Sequence, residues 1–143
     1  MFTLGLISSQ FNSWEPTTPS LILDLTRVRR SYERLSAALA PIAIHYAVKC
    51  NSTPQLISHL LDLGSRFEVA SVQELRLLLR TGADAKDVFF SAPVKAPADI
   101  QEAHRLGVRV FSIDSDGELE KVVECAPGAS AQIPLAPIVR GSG

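Results

Sequence analysis

A chain of 143 residues is long enough for one domain with a real core, and 14 Lys and Arg against 15 Asp and Glu leave a formal net charge of −1. The charges are mixed rather than blocked, which points away from nucleic acid and from an anionic membrane, and no apolar run approaches the roughly 20 residues of a membrane span. Two cysteines, Cys50 and Cys125, are too few and too far apart for a disulfide framework or a zinc site; both are expected as small reduced core residues, which suits the cytoplasm.

Met1 to Ile7 is apolar but short and has no basic n-region, so it does not read as a signal peptide. Residues 1–19 carry Gln, Asn, Ser, Thr and two prolines and read as an N-terminal arm in which Trp14 is a candidate for docking on the body. Ser20 to Asp24 is predicted as a short strand, with Asp24 as the N-cap of the next helix and Leu23 and Val28 spaced as a hydrophobic staple. Val28, Tyr32, Leu35 and Leu39 form one stripe of that helix, and Pro41 prevents its continuation.

The stretch Ile44 to Asn51 is β-rich and ends in a lysine. Strand parity places Ala43, His45, Ala47 and Lys49 on one face and Ile42, Ile44, Tyr46 and Val48 on the other. Thr53 then caps a helix with Pro54 at its first position, and Leu56, Leu60 and Leu63 line it up to Gly64. Arg66 to Val69 is a strand, Ser71 starts a helix that closes near Gly82, and Val88 to Ser91 is a strand. Pro97 opens a helix that runs to Gly107, Val108 to Ile113 is a strand, and Ser115 with Glu118 has the spacing of a capping box. Gly128 and a last strand near Ala131 follow.

Strand and helix thus alternate in units of roughly 20 to 25 residues, with glycine at each helix-to-strand turn after the lysine strand, which is the signature of an α/β fold with a parallel sheet. A flavodoxin-like order and a (β/α)8 barrel share this pattern. A full barrel takes about 250 residues, so a barrel here would stop after about four or five units. Pro134 and Pro137 are hostile to an interior strand, and Gly141-Ser142-Gly143 offers no helix. A partial barrel of this kind is expected to fold weakly and to expose strand edges.

Lys49 is the first candidate for chemistry. Its place at the C-terminal end of a parallel strand is where such sheets put ligand-handling groups, and a desolvated amine there is a nucleophile for an aldehyde. The bland alternative is a strand-end lysine that snorkels to water. Ala47, on the same face, leaves room for a flat ring, and His45, deeper, is either a proton relay or a hydrogen-bonded structural histidine. Glu68 ends the neighbouring strand at the height of Lys49, where a carboxylate steadies a cationic ring or simply pairs with Arg66 or Lys49. Glu74 follows Ser71 at capping-box spacing, which explains it without any function. Lys95 reads as a solvated loop lysine, and Asp114 and Asp116 suit a helix start. No Gly-rich phosphate loop of Walker or dinucleotide spacing is present, so a phosphate cofactor would be held by residues beyond 143.

Tyr46-Ala47-Val48-Lys49-Cys50-Asn51, Gly64 to Ser71 with Glu74, Ala92-Pro93-Val94-Lys95, and Phe111 to Ser115 with Glu118-Leu119 follow one another in an order that resembles the ornithine/lysine/diaminopimelate decarboxylase family. These are pyridoxal-phosphate enzymes, and the likeness is strongest to the ornithine branch. It runs from about residue 18 to the end and implies the first part of an alanine-racemase-like (β/α)8 TIM barrel over residues 20–143, without the family's C-terminal β-domain. By this resemblance Lys49 holds pyridoxal 5'-phosphate, Ala47 lies beside its ring, and Glu68 and Glu74 are acids of the cofactor site.

The implied reaction is decarboxylation of a small basic amino acid, ornithine foremost, giving putrescine for polyamine biosynthesis in a cytoplasmic homodimer. Departures stand out. Ala92 and Val94 replace the Asn and Cys of an Asn-Pro-Cys-Lys segment, and Ala136 falls where the family places an arginine. The stacking histidine, the phosphate loop, the ring-nitrogen glutamate and the second subunit's residues would lie beyond this chain, which is therefore expected to be inactive alone. Two other readings are a non-catalytic decarboxylase-like interaction protein and a racemase, although Cys50 to Thr53 lacks the Tyr-Gly-His of racemases.

Overall fold

A computed structural model describes residue 19 and residues 22–133. The first helix, α1 (Leu25–Leu39), starts where Asp24 Oδ1 accepts hydrogen bonds from the Thr26 and Arg27 amides at 3.0 and 3.1 Å. Then strands and helices alternate: β1 (His45–Ala47), α2 (Pro54–Asp62), β2 (Arg66–Val69), α3 (Val72–Arg80), β3 (Val88–Phe90), α4 (Pro97–Arg105), β4 (Val110–Ser112), α5 (Asp116–Cys125) and β5 (Ser130–Gln132). Proline occupies the first position of α2 and α4, where its missing N–H would have been unpaired in any case.

All five strands are parallel, and their order in the sheet is their order in the chain. This settles what the alternation left open. A flavodoxin-like sheet places its first strand inside the sheet, whereas a barrel adds each strand beside the last. The fold is α/β with the strand order of a (β/α) barrel, and among the described residues β1 and β5 are its two edges.

Phe67, Val69, Val88, Phe90 and Phe111 point outward from the sheet and are buried with Leu56, Ile57, Leu60, Leu75, Leu78, Ile100 and Val122 of the helices. The Phe90 and Phe111 rings stack with centroids 5.9 Å apart. The opposite face carries His45, Arg66, Glu68, Phe89 and Val110, which line a hollow of about 320 Å³. The burial alternates along β2 and β3 accordingly, as period-two geometry requires. Gly107 shows why glycine recurs at the helix-to-strand turns. Its φ is +110°, and a Cβ there would stand 3.0 Å from the Ala85 methyl.

Several expectations need correction. Ile22 to Asp24 belong to no strand, while Ser20 and Leu21 lie outside the described residues. The arm with Trp14 and the segment from Pro134 onward, including Ala136, also lie outside them. Thr53 holds the N-cap position of α2 without a side-chain bond; Asn51 Oδ1 instead accepts from the Thr53 amide at 2.9 Å. Cys125 is buried, but Cys50 is exposed. No helix among the described residues is long and apolar enough to cross a membrane.

Glu102 on α4 ties two helices together on the outer surface. It accepts from Arg105 Nε at 2.8 Å and from Arg76 Nη2, on α3, at 2.9 Å. The Arg105 hydrogen bond, with that of Arg76 behind it, pushes the Glu102 carboxyl down to about 2. A depressed folded value stabilises the protein above the ordinary 4.5, and that contribution disappears as pH falls from there to about 2. Urea midpoints measured from pH 6 to pH 2 are expected to drop less steeply in Glu102→Gln than in the parent chain.

Candidate active site at the carboxyl ends of the strands

Hydrogen-bonded pairing aligns Ala47 at the end of β1 with Glu68 of β2. The chain then leaves the sheet in a 3-10 turn, Val48–Cys50. Strand parity therefore holds only as far as Ala47, and the turn, not the strand, delivers Lys49. Val48 is fully buried, which anchors the turn from beneath. Lys49 Nζ ends 3.9 Å from Glu68 Oε1, with the lysine side chain 60% and the glutamate 27% exposed. The pair faces the hollow side, with Ala47 as the only side chain of β1 at the same level. The desolvation expected around the amine is not supplied by the described residues, since the lysine stays mostly open.

Glu68 has a second partner. Ser91, just past β3, donates its hydroxyl to the same Oε1 at 2.7 Å. Neither the spacing nor the motif singled out Ser91, although register does: Glu68 pairs with Phe89, so the residue two further along β3 lies on the same face one step higher. Arg66, offered as an alternative partner for Glu68, pairs with Asp87 at 3.7 Å instead. His45 is exposed and sets its ring edge-on to Phe89 at 6.3 Å, rather than lying buried as a hydrogen-bonded core histidine.

Glu74 behaves as a cap. Its amide donates to Ser71 Oγ at 3.2 Å, and its Oε2 accepts from the Ala70 amide at 2.7 Å. The carboxylate thus reaches the amide before the N-cap rather than that of Ser71 itself, and closes the turn immediately after β2. On the other side of the site the Tyr46 hydroxyl donates to the Asn51 carbonyl at 3.1 Å, bracing the turn that carries Lys49. Burial pushes the Tyr46 phenol up, and the neighbouring Cys50 adds to this. A wider apolar groove of about 400 Å³, lined by Val28, Tyr32, Leu35, Leu56 and Leu60, lies on the helix side and away from Lys49.

Lys95 overturns its expected role as a solvated loop residue. Its side chain is fully buried, and Nζ donates to the carbonyls of Ser112 at 2.6 Å and Ala92 at 2.9 Å. It also pairs with Glu118 Oε2 at 3.0 Å, and Lys121 closes on the other carboxylate oxygen. Glu118 is therefore not the partner of a capping box: Ser115 sits at the N-cap of α5 without a side-chain bond. Burial by itself would raise the Glu118 carboxyl, but hydrogen bonds from Lys121 and Lys95 outweigh it and bring it below its ordinary value. The cluster fixes the segment after β3 to the end of β4.

A primary amine, an adjacent carboxylate and a small residue at the open end of a parallel sheet suit an aldehyde-bearing aromatic cofactor. Comparison with known proteins agrees. Residues 25–140 match the family described as pyridoxal-dependent decarboxylase, pyridoxal binding domain. The chain belongs to this family. It is 34% identical over 119 residues to a lysine/ornithine decarboxylase of Selenomonas ruminantium, covering 83% of this chain and 30% of that protein. It is 30% identical over 113 residues to antizyme inhibitor 1 of Mus musculus, covering 79% of this chain and 25% of the relative. The structure of a lysine/ornithine decarboxylase complexed with putrescine, from Vibrio vulnificus, superposes with a TM-score of 0.80 at 30% identity. That superposition covers 90% of this chain and 35% of the other. The chain thus spans about 30% of the length of the curated relative it matches. Family membership and strand order together identify the fold as part of a pyridoxal-binding TIM barrel, with pyridoxal phosphate as the family's cofactor.

Removing one partner of a buried ion pair leaves the other charge uncompensated, which costs about 3 to 5 kcal/mol. Glu118→Gln is expected to lower the unfolding free energy, obtained from the urea midpoint and slope, by an amount in that range, and Lys95→Met by somewhat less, because Lys121 still covers Glu118. Equilibrium denaturation followed by circular dichroism measures both.

Proposed function

We propose that this chain supplies the lysine-bearing part of a pyridoxal-phosphate-dependent amino-acid decarboxylase. The observation that carries this reading is the Lys49 amine standing 3.9 Å from Glu68 at the carboxyl end of the sheet, on the face opposite the helices. When bound, pyridoxal phosphate supplies an electron sink that lets a substrate's α-carboxylate leave as carbon dioxide. Lys49 would hold the cofactor through Nζ and, once displaced by a substrate amine, carry a proton on that same atom. Glu68 sets a negative charge beside it, which favours a cationic partner at this position. Ala47 leaves space for the ring, and Glu74 holds the turn after β2 in place.

The substrate class we assign is a small basic amino acid, ornithine first, with polyamine biosynthesis as the setting and a homodimer as the full assembly. The support is the activity for which the lysine/ornithine decarboxylase relative is named, together with the resemblance of the Lys49, Glu68 and Lys95 segments to the family. The N-terminal arm over residues 1–19 and the barrel portion over residues 20–143 remain part of this proposal. A second reading has its own observation: the likeness to antizyme inhibitor 1, which makes a non-catalytic interaction protein the rival.

The test is an absorbance titration of the chain and of Lys49→Ala with pyridoxal phosphate, followed by borohydride reduction and peptide mass mapping. Saturable binding with the label on Lys49, abolished in Lys49→Ala, is expected. Label spread evenly over many lysines would overturn the cofactor reading and favour the interaction protein.

A further inference from the structure

We propose that Ser91 is a positioning residue, which holds the Glu68 carboxylate against the Lys49 amine and is itself fixed from behind by Ser112 and the buried Lys95. This deepens the reading given under Proposed function and rests on it for its relevance to the reaction, although its geometry stands alone. Glu68 is a long side chain on the open face of the sheet, and an exposed ion pair at 3.9 Å is too weak to fix its rotamer. The Ser91 hydroxyl, at 2.7 Å from the same Oε1, is the shorter and more directional contact.

Ser91 does not move freely. Its amide donates to the Val69 carbonyl at 2.9 Å, which locks it to β2, the strand that carries Glu68. Its carbonyl accepts from the Ser112 hydroxyl at 3.0 Å. Ser112 in turn gives its carbonyl to Lys95 Nζ at 2.6 Å, and the same ammonium takes the Ala92 carbonyl at 2.9 Å. A continuous set of polar contacts therefore runs from the buried Lys95–Glu118 pair through Ser112 and Ser91 to Glu68 and Lys49. The buried end is rigid and the open end is where a ligand would arrive. Ser91 is the link at which this rigidity reaches a charged side chain.

The experiment is trace labelling of lysine amines with acetic anhydride at fixed pH, read by peptide mass mapping on the full chain. Ser91→Ala, Ser91→Thr, Glu68→Ala and the Ser91→Ala/Glu68→Ala double variant are compared with the parent. If Ser91 holds Glu68 over the amine, Lys49 in Ser91→Ala labels faster by about two- to fivefold, the size set by a partly exposed ion pair. Ser91→Thr, which keeps the hydroxyl, restores the parent rate. The serine substitution adds nothing once Glu68 is alanine, since two groups acting as one are not additive. Exposed Lys86 keeps its rate throughout, and buried Lys95 stays protected. A parent-like Lys49 rate in Ser91→Ala, an undiminished effect in the double variant, or new labelling of Lys95 would each overturn the proposal. Borohydride trapping of pyridoxal phosphate on the unmutated chain tests the functional reading separately. A chain that fails there yet shows the coupling keeps the Ser91 contact and loses only its place in catalysis.

Discussion

The pairing of β1 with β2 is the constraint on which the candidate site depends. Ala47 opposite Glu68 sets the height at which the chain leaves β1, and the turn that follows has one fully buried residue, Val48, to hold it down. A slip of one residue would send Glu68 to the helix side, where an unpaired carboxylate is costly, and turn Phe67 and Val69 out onto the hollow face. The apolar packing of the outer face therefore determines, indirectly, where the polar groups of the inner face meet. The amine and carboxylate come together because the phenylalanines and valines beside them have nowhere else to go.

A second layer of order comes from charge. The Lys95, Glu118 and Lys121 cluster occupies the seam between the ends of β3 and β4, where the carbonyl groups of Ala92, Pro93 and Ser112 converge. One ammonium satisfies them and is balanced by one carboxylate, with Lys121 closing the rim. Buried ion pairs contribute little net stability compared with well-packed apolar groups, so their value lies in specifying one arrangement. Here that arrangement is the direction in which the segment after β3 leaves the sheet, and with it the place of Ser91.

Features governed by neighbours in sequence were legible before the structure. Asp24 and Ser71 cap their helices, Pro54 and Pro97 open theirs, and glycines with positive φ stand at the four helix-to-strand turns after β1. Lys49 and Glu68 were legible as neighbours because Lys49 follows β1 directly and Glu68 lies near the carboxyl end of β2, the strand beside it. What failed depends on partners distant in sequence. Ser115 and Glu118 have the spacing of a cap, but a lysine 23 residues earlier takes the glutamate into the interior. Lys95 in a proline-flanked loop carries no local mark of burial. Ser91 looks like any strand-end serine until the register of β2 against β3 is known. The early end of β1 is visible only in three dimensions, because residues through Val48 keep a strand-like composition.

The regular strand order has a kinetic side. Tyr46 pairs with Phe67, Phe67 with Val88, Phe89 with Val110 and Val110 with Ser130, so every rung of the sheet closes about 20 residues of chain and carries a similar entropic cost. Among the described strands no pairing waits for a distant segment to arrive. Such a molecule has low contact order for a parallel β protein and can grow by adding one unit to an existing nucleus from either side. The central units, β2 to β4, have a paired neighbour on both flanks and their helices contribute the fully buried Leu75, Leu78 and Ile100. Amide exchange would accordingly be slowest there and quickest along β1 and β5, a gradient of opening running outward across the sheet.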